Sequence, residues 1–210
     1  GVSRDSVLIG SASPRQILVD GNFVKIMNLR SANSRCSFIE VASNHHDVWI
    51  ENVKADDVAT DVRTLGHSGV YDCDGVMFRD GTYHGYVLDS QFFAPTLASV
   101  SPVGSRWDAA GSAIATLGVM NPIGGFVFKG NTIGTSASNG AFRDCIGNSP
   151  ESPSGGINYS DILNNNIAGC YDDSIQVEGG NLGLLIAGNV VKVDNGYSCF
   201  AAQPSYFGPI

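Results

Sequence analysis

The chain has 210 residues, 26 glycines, 43% hydrophobic and only 15% charged residues, and a formal net charge of −8. The hydrophobic share argues against a long disordered polar chain. The acidity, with no basic run anywhere, argues against nucleic acid as a partner, because phosphates demand clustered Lys and Arg. No apolar run reaches the roughly 18 residues of a membrane-spanning helix.

The predicted elements begin almost at once. Val7-Leu8-Ile9-Gly10 is strand-like, with no initiating Met and no signal peptide before it, so the chain reads as a fragment or a mature product. A short motif follows as Val24-Lys25-Ile26-Met27-Asn28-Leu29 and returns as Val48-Trp49-Ile50-Glu51-Asn52-Val53. Apolar strands are expected about half a period later, at Phe38–Val41 and Val62–Leu65. A weaker copy is Leu88-Asp89-Ser90-Gln91-Phe92-Phe93. The stretch 94–125, with Pro95, Pro102, Pro122 and Trp107, reads as an inserted loop. Phe128-Lys129-Gly130-Asn131-Thr132-Ile133 is the next copy, and 134–156 a second loop. Ile162-Leu163-Asn164-Asn165-Asn166-Ile167 and Ile186-Ala187-Gly188-Asn189-Val190-Val191 complete the series, each with a following apolar strand, Ile175–Val177 and Cys199-Phe200. Residues 204–210 read as a tail or linker.

Ile26 to Ile50 and Ile162 to Ile186 are both 24 residues. Apolar positions alternate with period two, so these are strands. A strand this short cannot bury its apolar face alone, but coils stacked in parallel at about 4.8 Å can. Gly and Asn suit the sharp turns between strands. Inward Asn side chains in consecutive coils can bond one another as a ladder; the candidates are Asn28/Asn52 and Asn165/Asn189. The expected fold is therefore all-β, a single right-handed parallel β-helix solenoid over residues 1–203. Its open ends would expose unpaired strand edges, which suggests a longer parent chain, end-to-end stacking or a homo-oligomer.

The five cysteines Cys36, Cys73, Cys145, Cys170 and Cys199 are odd in number, so at least one is free or pairs outside the chain. Cys145 and Cys170 lie about one coil apart. Stacked buried thiols are the favoured reading and a disulfide the rival.

The motif at this spacing resembles the right-handed parallel β-helix proteins of the pectate-lyase-like superfamily. That resemblance covers roughly residues 7–200, with a gap at 95–124. It implies an extracellular or virion- or cell-surface setting and a choice among polysaccharide lyases, polygalacturonase-like hydrolases, epimerases, tailspikes and adhesins. Fold alone does not choose among them.

Gly169-Cys170-Tyr171-Asp172-Asp173-Ser174-Ile175-Gln176-Val177-Glu178 resembles the paired-Asp segment of polygalacturonase-like hydrolases, and Tyr71-Asp72-Cys73-Asp74-Gly75-Val76 echoes it. Close carboxylates can divide the roles of acid and base in glycosidic cleavage. Asp172, Asp173 and Asp74 are thus catalytic candidates, with Arg79 and His84 flanking Asp80 as candidate bases for a lyase. Arg63 and His67 are weaker ones. Gln176, Glu178 and Trp107 are candidate sugar contacts. Asp72 and Asp74 could hold calcium, the one cofactor the pattern suggests. The competing reading makes each Asp a turn residue that accepts backbone N–H bonds. The hydrolase family's Asn-Thr-Asp, His-Gly and Arg-Ile-Lys segments are absent. His45-His46 reads as a turn. The sequence-based expectation is an extracellular β-helix that binds or processes an acidic polysaccharide. The alternatives are a structural or adhesive β-helix of tailspike type, or an inert repeat domain.

Overall fold

The computed structural model describes residues 8–9, 15–32, 37–56, 74–94, 115–119, 122–135, 144–148, 157–170, 173–177, 182–193 and 198–202. The described residues form a parallel β-helix of three sheets, and no helix among them is long and apolar enough to cross a membrane. Sheet A contains β1 (Leu8–Ile9), β4 (Arg30–Ala32), β7 (Lys54–Asp56), β10 (Gln91–Ala94), β13 (Thr132–Thr135), β16 (Asn166–Ala168) and β19 (Val190–Lys192). Sheet B contains β2 (Arg15–Val19), β5 (Ser37–Val41), β8 (Val76–Phe78), β11 (Ala115–Val119), β14 (Asp144–Asn148), β17 (Ile175–Val177) and β20 (Ala201–Ala202). Sheet C contains β3 (Val24–Met27), β6 (His46–Glu51), β9 (Tyr83–Leu88), β12 (Val127–Lys129), β15 (Asp161–Leu163) and β18 (Leu185–Ala187). Each strand pairs in parallel with the strand three places on, so a coil carries three strands rather than the two expected from the spacing.

The interior is built from columns of like residues in register. Ile26, Ile50, Val87, Phe128, Ile162 and Ile186 stack through sheet C. Ile39, Val76, Leu117 and Ile146 do so in sheet B, and Phe92, Ile133 and Ile167 in sheet A. All of these except Ile26 and Ile186 are fully or almost fully buried. Each such side chain contributes about 1.5–3 kcal/mol relative to exposure. Phe78, Phe126 and Phe128 pack together in the interior, with Phe78 and Phe126 edge to face at 5.1 Å. Gly85 makes room for them, since a Cβ there would stand 2.5 Å from Phe78.

The corner from sheet C to sheet A is two residues long. Its first residue has positive φ in every coil: Asn28, Asn52, Asp89, Gly130, Asn164 and Gly188. Its second faces inward and forms the ladder. Asn131 Nδ2 donates to Asn165 Oδ1 at 3.0 Å, and Asn165 Nδ2 to Asn189 Oδ1 at 2.9 Å. Asn131 Oδ1 accepts the Ser90 N–H at 3.0 Å. The Asn165/Asn189 expectation is met, and Ser90 and Asn131 extend it. Asn28 and Asn52 are different: they occupy the outer corner position, where Asn52 Nδ2 donates to Asn28 Oδ1 at 2.7 Å. The inward position in those coils belongs to Leu29 and Val53.

Rung spacings along this corner are 24, 37, 41, 34 and 24 residues. The stretches 94–125 and 134–156, expected as loops, each contain a sheet B strand, β11 and β14. Val62–Leu65 lies outside the described residues, and the last strand is Ala201–Ala202, just beyond Cys199-Phe200. The tail at 204–210 is also outside them.

From Asp89 and His84 onward, side chains and glycines alternate along the left-handed corners. Asp89 leans onto Gly130 of the next coil and Asn164 onto Gly188; Asn44 leans onto Gly81. In the turn from sheet B to sheet C, His84 lies against Gly125 and Tyr159 against Gly183. A Cβ at any of these glycines would collide with the neighbour and sit at positive φ.

Cys145 and Cys170 form a disulfide with their Cα atoms 5.7 Å apart, in place of the buried thiols favoured from sequence. Stacking on neighbouring coils brings the two chains to bonding distance. Cys199 is free and exposed.

Candidate functional site

Two of the carboxylates singled out in the sequence, Asp74 and Asp173, lie at the leading edge of sheet B. The register that pairs Ile39 with Val76 and Ala115 with Asp144 aligns Asp74, Asp144 and Asp173 in one column. Asp144 Oδ1 accepts the Asp173 N–H at 3.1 Å, and Asp173 Oδ1 accepts the Ser198 hydroxyl. The Asp74 N–H donates to Ser37 Oγ at 3.3 Å. These contacts tie one coil to the next. Asp74 and Asp144 are fully buried. Asp74 and Asp173 are three strands apart, about 14 Å at the usual strand spacing, beyond the about 5–9 Å of a glycosidase pair.

The other candidates disperse. Arg79 Nη2 donates to Glu40 Oε2 at 3.0 Å, and Arg15 Nε reaches the same oxygen at 2.7 Å. Gln176 is 4% exposed and packs beside Gly147. His84 stands on sheet C. So Asp74, Asp173 and Gln176 share a sheet, while Arg79 and His84 leave it. Asp72, Asp172, Glu178 and Trp107 lie outside the described residues, as do Arg63 and His67. Among the described residues no group of three or more His, Cys, Asp or Glu side chains could hold a metal ion.

A different cluster assembles where the chain enters sheet C. There the backbone swings through positive φ in successive coils: Phe23 (57°), Asp47 (53°), His84 (51°), Gly125 (75°), Tyr159 (49°) and Gly183 (64°). Glycine adopts this conformation freely, but an L side chain costs about 1–2 kcal/mol. Phe23 and Tyr159 bear that strain while 79% and 65% exposed. Burial therefore does not compensate them.

Around Phe23 the rings interlock. His46 lies between Phe23, edge to face at 5.2 Å, and Tyr83, stacked at 4.6 Å. Asp47 accepts from His46 Nδ1 at 2.7 Å and faces His84 Nδ1 at 3.4 Å. The hydrogen bond from His46, assisted by the charges of both histidines, holds the Asp47 carboxyl below the usual range. His45 contacts Asn22 and Asp20 at 3.1 and 2.9 Å. On the sheet itself Trp49 and Tyr86, paired in register, stack at 3.7 Å, and Lys25 bridges to Glu51 at 2.8 Å.

Ten large hydrophobic residues are exposed among the described ones, and six of them belong to sheet C or its bordering turns: Phe23, Met27, Trp49, Ile123, Tyr159 and Leu185. That concentration marks one face for contact with something outside the chain. The sequence reading missed these positions. Trp49 and Tyr86 do sit at outward positions of strand motifs, which is the signal that could have found them; Phe23 and Tyr159 depend on φ. No protein-family model, no curated protein and no solved structure matches this chain.

Proposed function

We propose that this protein is an extracellular or surface-displayed β-helix that binds a polysaccharide along the outer face of sheet C, without turnover by the sheet B carboxylates. The carrying observation is the pair of exposed aromatic residues, Phe23 and Tyr159, held on strained left-handed backbone at the edge of that face. The corner takes this φ in every coil, so what sets Phe23 and Tyr159 apart is a large exposed ring at a position where glycine would sit without strain. Aromatic faces match the C–H faces of sugar rings, and the nearby His, Asp and Glu groups supply hydrogen bonds. The disulfide supports an oxidising compartment. The motif's resemblance to pectate-lyase-like proteins supports the ligand class by analogy. The burial of Asp74 and its wide spacing from Asp173 favour binding over hydrolysis.

Affinity electrophoresis through gels of different polysaccharides tests the reading. The expected result is retardation that Phe23→Gly and Trp49→Ala weaken. Phe23→Gly should also raise stability by about 0.5–1 kcal/mol, because it relieves the strain. Retardation unchanged in both variants would refute the proposal. Incubation with pectate, alginate or polygalacturonate is expected to release no unsaturated ends, with or without calcium.

The adhesive or structural reading draws on Met27 and Leu185, aliphatic and exposed on the same sheet. It predicts a concentration-dependent oligomer by light scattering that Leu185→Lys dissolves.

A further inference from the structure

We infer that the polysaccharide is an amino-sugar polymer, recognised through its ammonium groups, rather than a uronate. The inference rests on the binding reading above and deepens it. The outer face of sheet C and its bordering turns carry Asp20, Asp47, Glu51, Asp89 and Asp161 against Lys25 and Lys129. Lys25 and Glu51 pair at 2.8 Å and cancel, which leaves Asp20, Asp47, Asp89 and Asp161 against Lys129. In the turn before β9, Arg79 is directed to Glu40 of sheet B at 3.0 Å, while Asp80 is exposed. The histidines do not reverse the sign, since His45 and His46 each face a carboxylate, Asp20 and Asp47. With the whole chain at −8, a polyanion approaching this face meets repulsion and a polycation attraction.

Spacing strengthens the argument. Adjacent rungs are about 4.8 Å apart, well inside the screening length of about 8 Å at physiological salt. Asp20, Asp47 with Glu51, and Asp89 stand on three successive rungs and act on a ligand together, while Asp161 stands two rungs further on. Exposed aromatic faces add cation–π attraction for an ammonium group and a platform for the ring that bears it. A lysine polymer shares the charge but has no ring to lay on Phe23 or Tyr159, and an amino-sugar chain supplies both charge and ring, so the sugar is the occupant this surface fits.

The test compares four probes in one buffer, at a pH that keeps the glucosamine amines protonated: a glucosamine oligomer, its N-acetylated counterpart, oligogalacturonate and polylysine. The glucosamine oligomer should bind tightest and weaken as salt rises, the acetylated one more weakly, and oligogalacturonate not at all. The double variant Glu51→Gln/Asp161→Asn should reduce glucosamine binding roughly threefold to tenfold and weaken the acetylated oligomer distinctly less. Equal or tighter binding of oligogalacturonate, or indifference to the double variant, would overturn the inference and leave the binding reading standing. Polylysine bound as well as glucosamine, with no acetylated sugar bound, would reduce the face to charge alone and overturn it too. If no sugar bound at all, both readings would fall.

Discussion

Sheets B and C are made by the same winding chain and meet opposite surroundings. In sheet B every residue of β5, β8 and β17 is buried, including outward positions such as Glu40, Met77 and Gln176. In sheet C the strands alternate, as in β6, where Val48 and Ile50 are buried and Trp49 is exposed. A sheet covered on both faces spends its polar groups on internal bonds, as Asp144 does with Asp173. A sheet open on one face can keep side chains for a partner. The difference teaches where to look for function: on the face that water reaches.

One charge placed on each sheet gives the largest contrast. Met77→Lys puts an unpaired ammonium where nothing is exposed and should cost about 4 kcal/mol or more, or prevent folding. Leu185→Lys, on the 52% exposed position of sheet C, should stay within about 0.5 kcal/mol. Denaturant melts of both variants measure it, and equal losses would erase the distinction between the sheets. Next comes the disulfide that ties β14 of sheet B to Cys170. With 25 residues between its ends, reduction should destabilise the protein by about 3 kcal/mol, read as a lower melting temperature in reductant. Smaller still, Gly188→Ala in the corner after sheet C should cost about 1–2 kcal/mol, because φ is positive and Asn164 occupies the space. Gly21→Ala, with negative φ and a nearest neighbour at 3.9 Å, should be near neutral.

The smallest effect is a pH dependence at the sheet C edge. Asp47 has its pKa lowered in the folded state, chiefly by the hydrogen bond from His46. Its contribution is therefore present above the unfolded value of about 3.9 and is lost as pH falls below that through the folded pKa. Asp47→Asn should lower stability slightly near neutrality and leave it unchanged below the folded pKa, so that the acid limb becomes flatter. Acid titration followed by circular dichroism checks this.

The same contrast explains what was legible. Sheets A and C meet at a short corner, and sheet C has one face in water, so Val48-Trp49-Ile50 and the Gly130-Asn131 or Gly188-Asn189 corners show plainly in the sequence. Sheet B lacks that alternation, as sheets covered on both faces do. β11 carries Gly118 and β14 begins with a buried Asp144, so neither looks like an apolar strand, and both were absorbed into expected loops. Cys145 and Cys170 were correctly placed about a coil apart, but spacing alone does not separate two thiols from a disulfide. The candidate site was least legible. Asp74 and Asp173 stood out by residue type, whereas the significance of Phe23 and Tyr159 comes from a backbone angle and from neighbours in other coils.

The alternation of side chain and glycine reaches beyond local fit. From Asp89 to Gly188 at one corner, and from His84 to Gly183 at the other, occupied and empty rungs follow each other in phase. Removing one turn of the solenoid there would set two bulky residues, or two bare glycines, on successive levels at both corners together. Removing two would preserve the pattern. The earlier turns, with Asn28, Asn52 and Asp89 at one corner and Phe23, Asp47 and His84 at the other, stack side chains on successive levels. An odd step in length would extend that arrangement and lose an overhang of side chain on glycine at each corner.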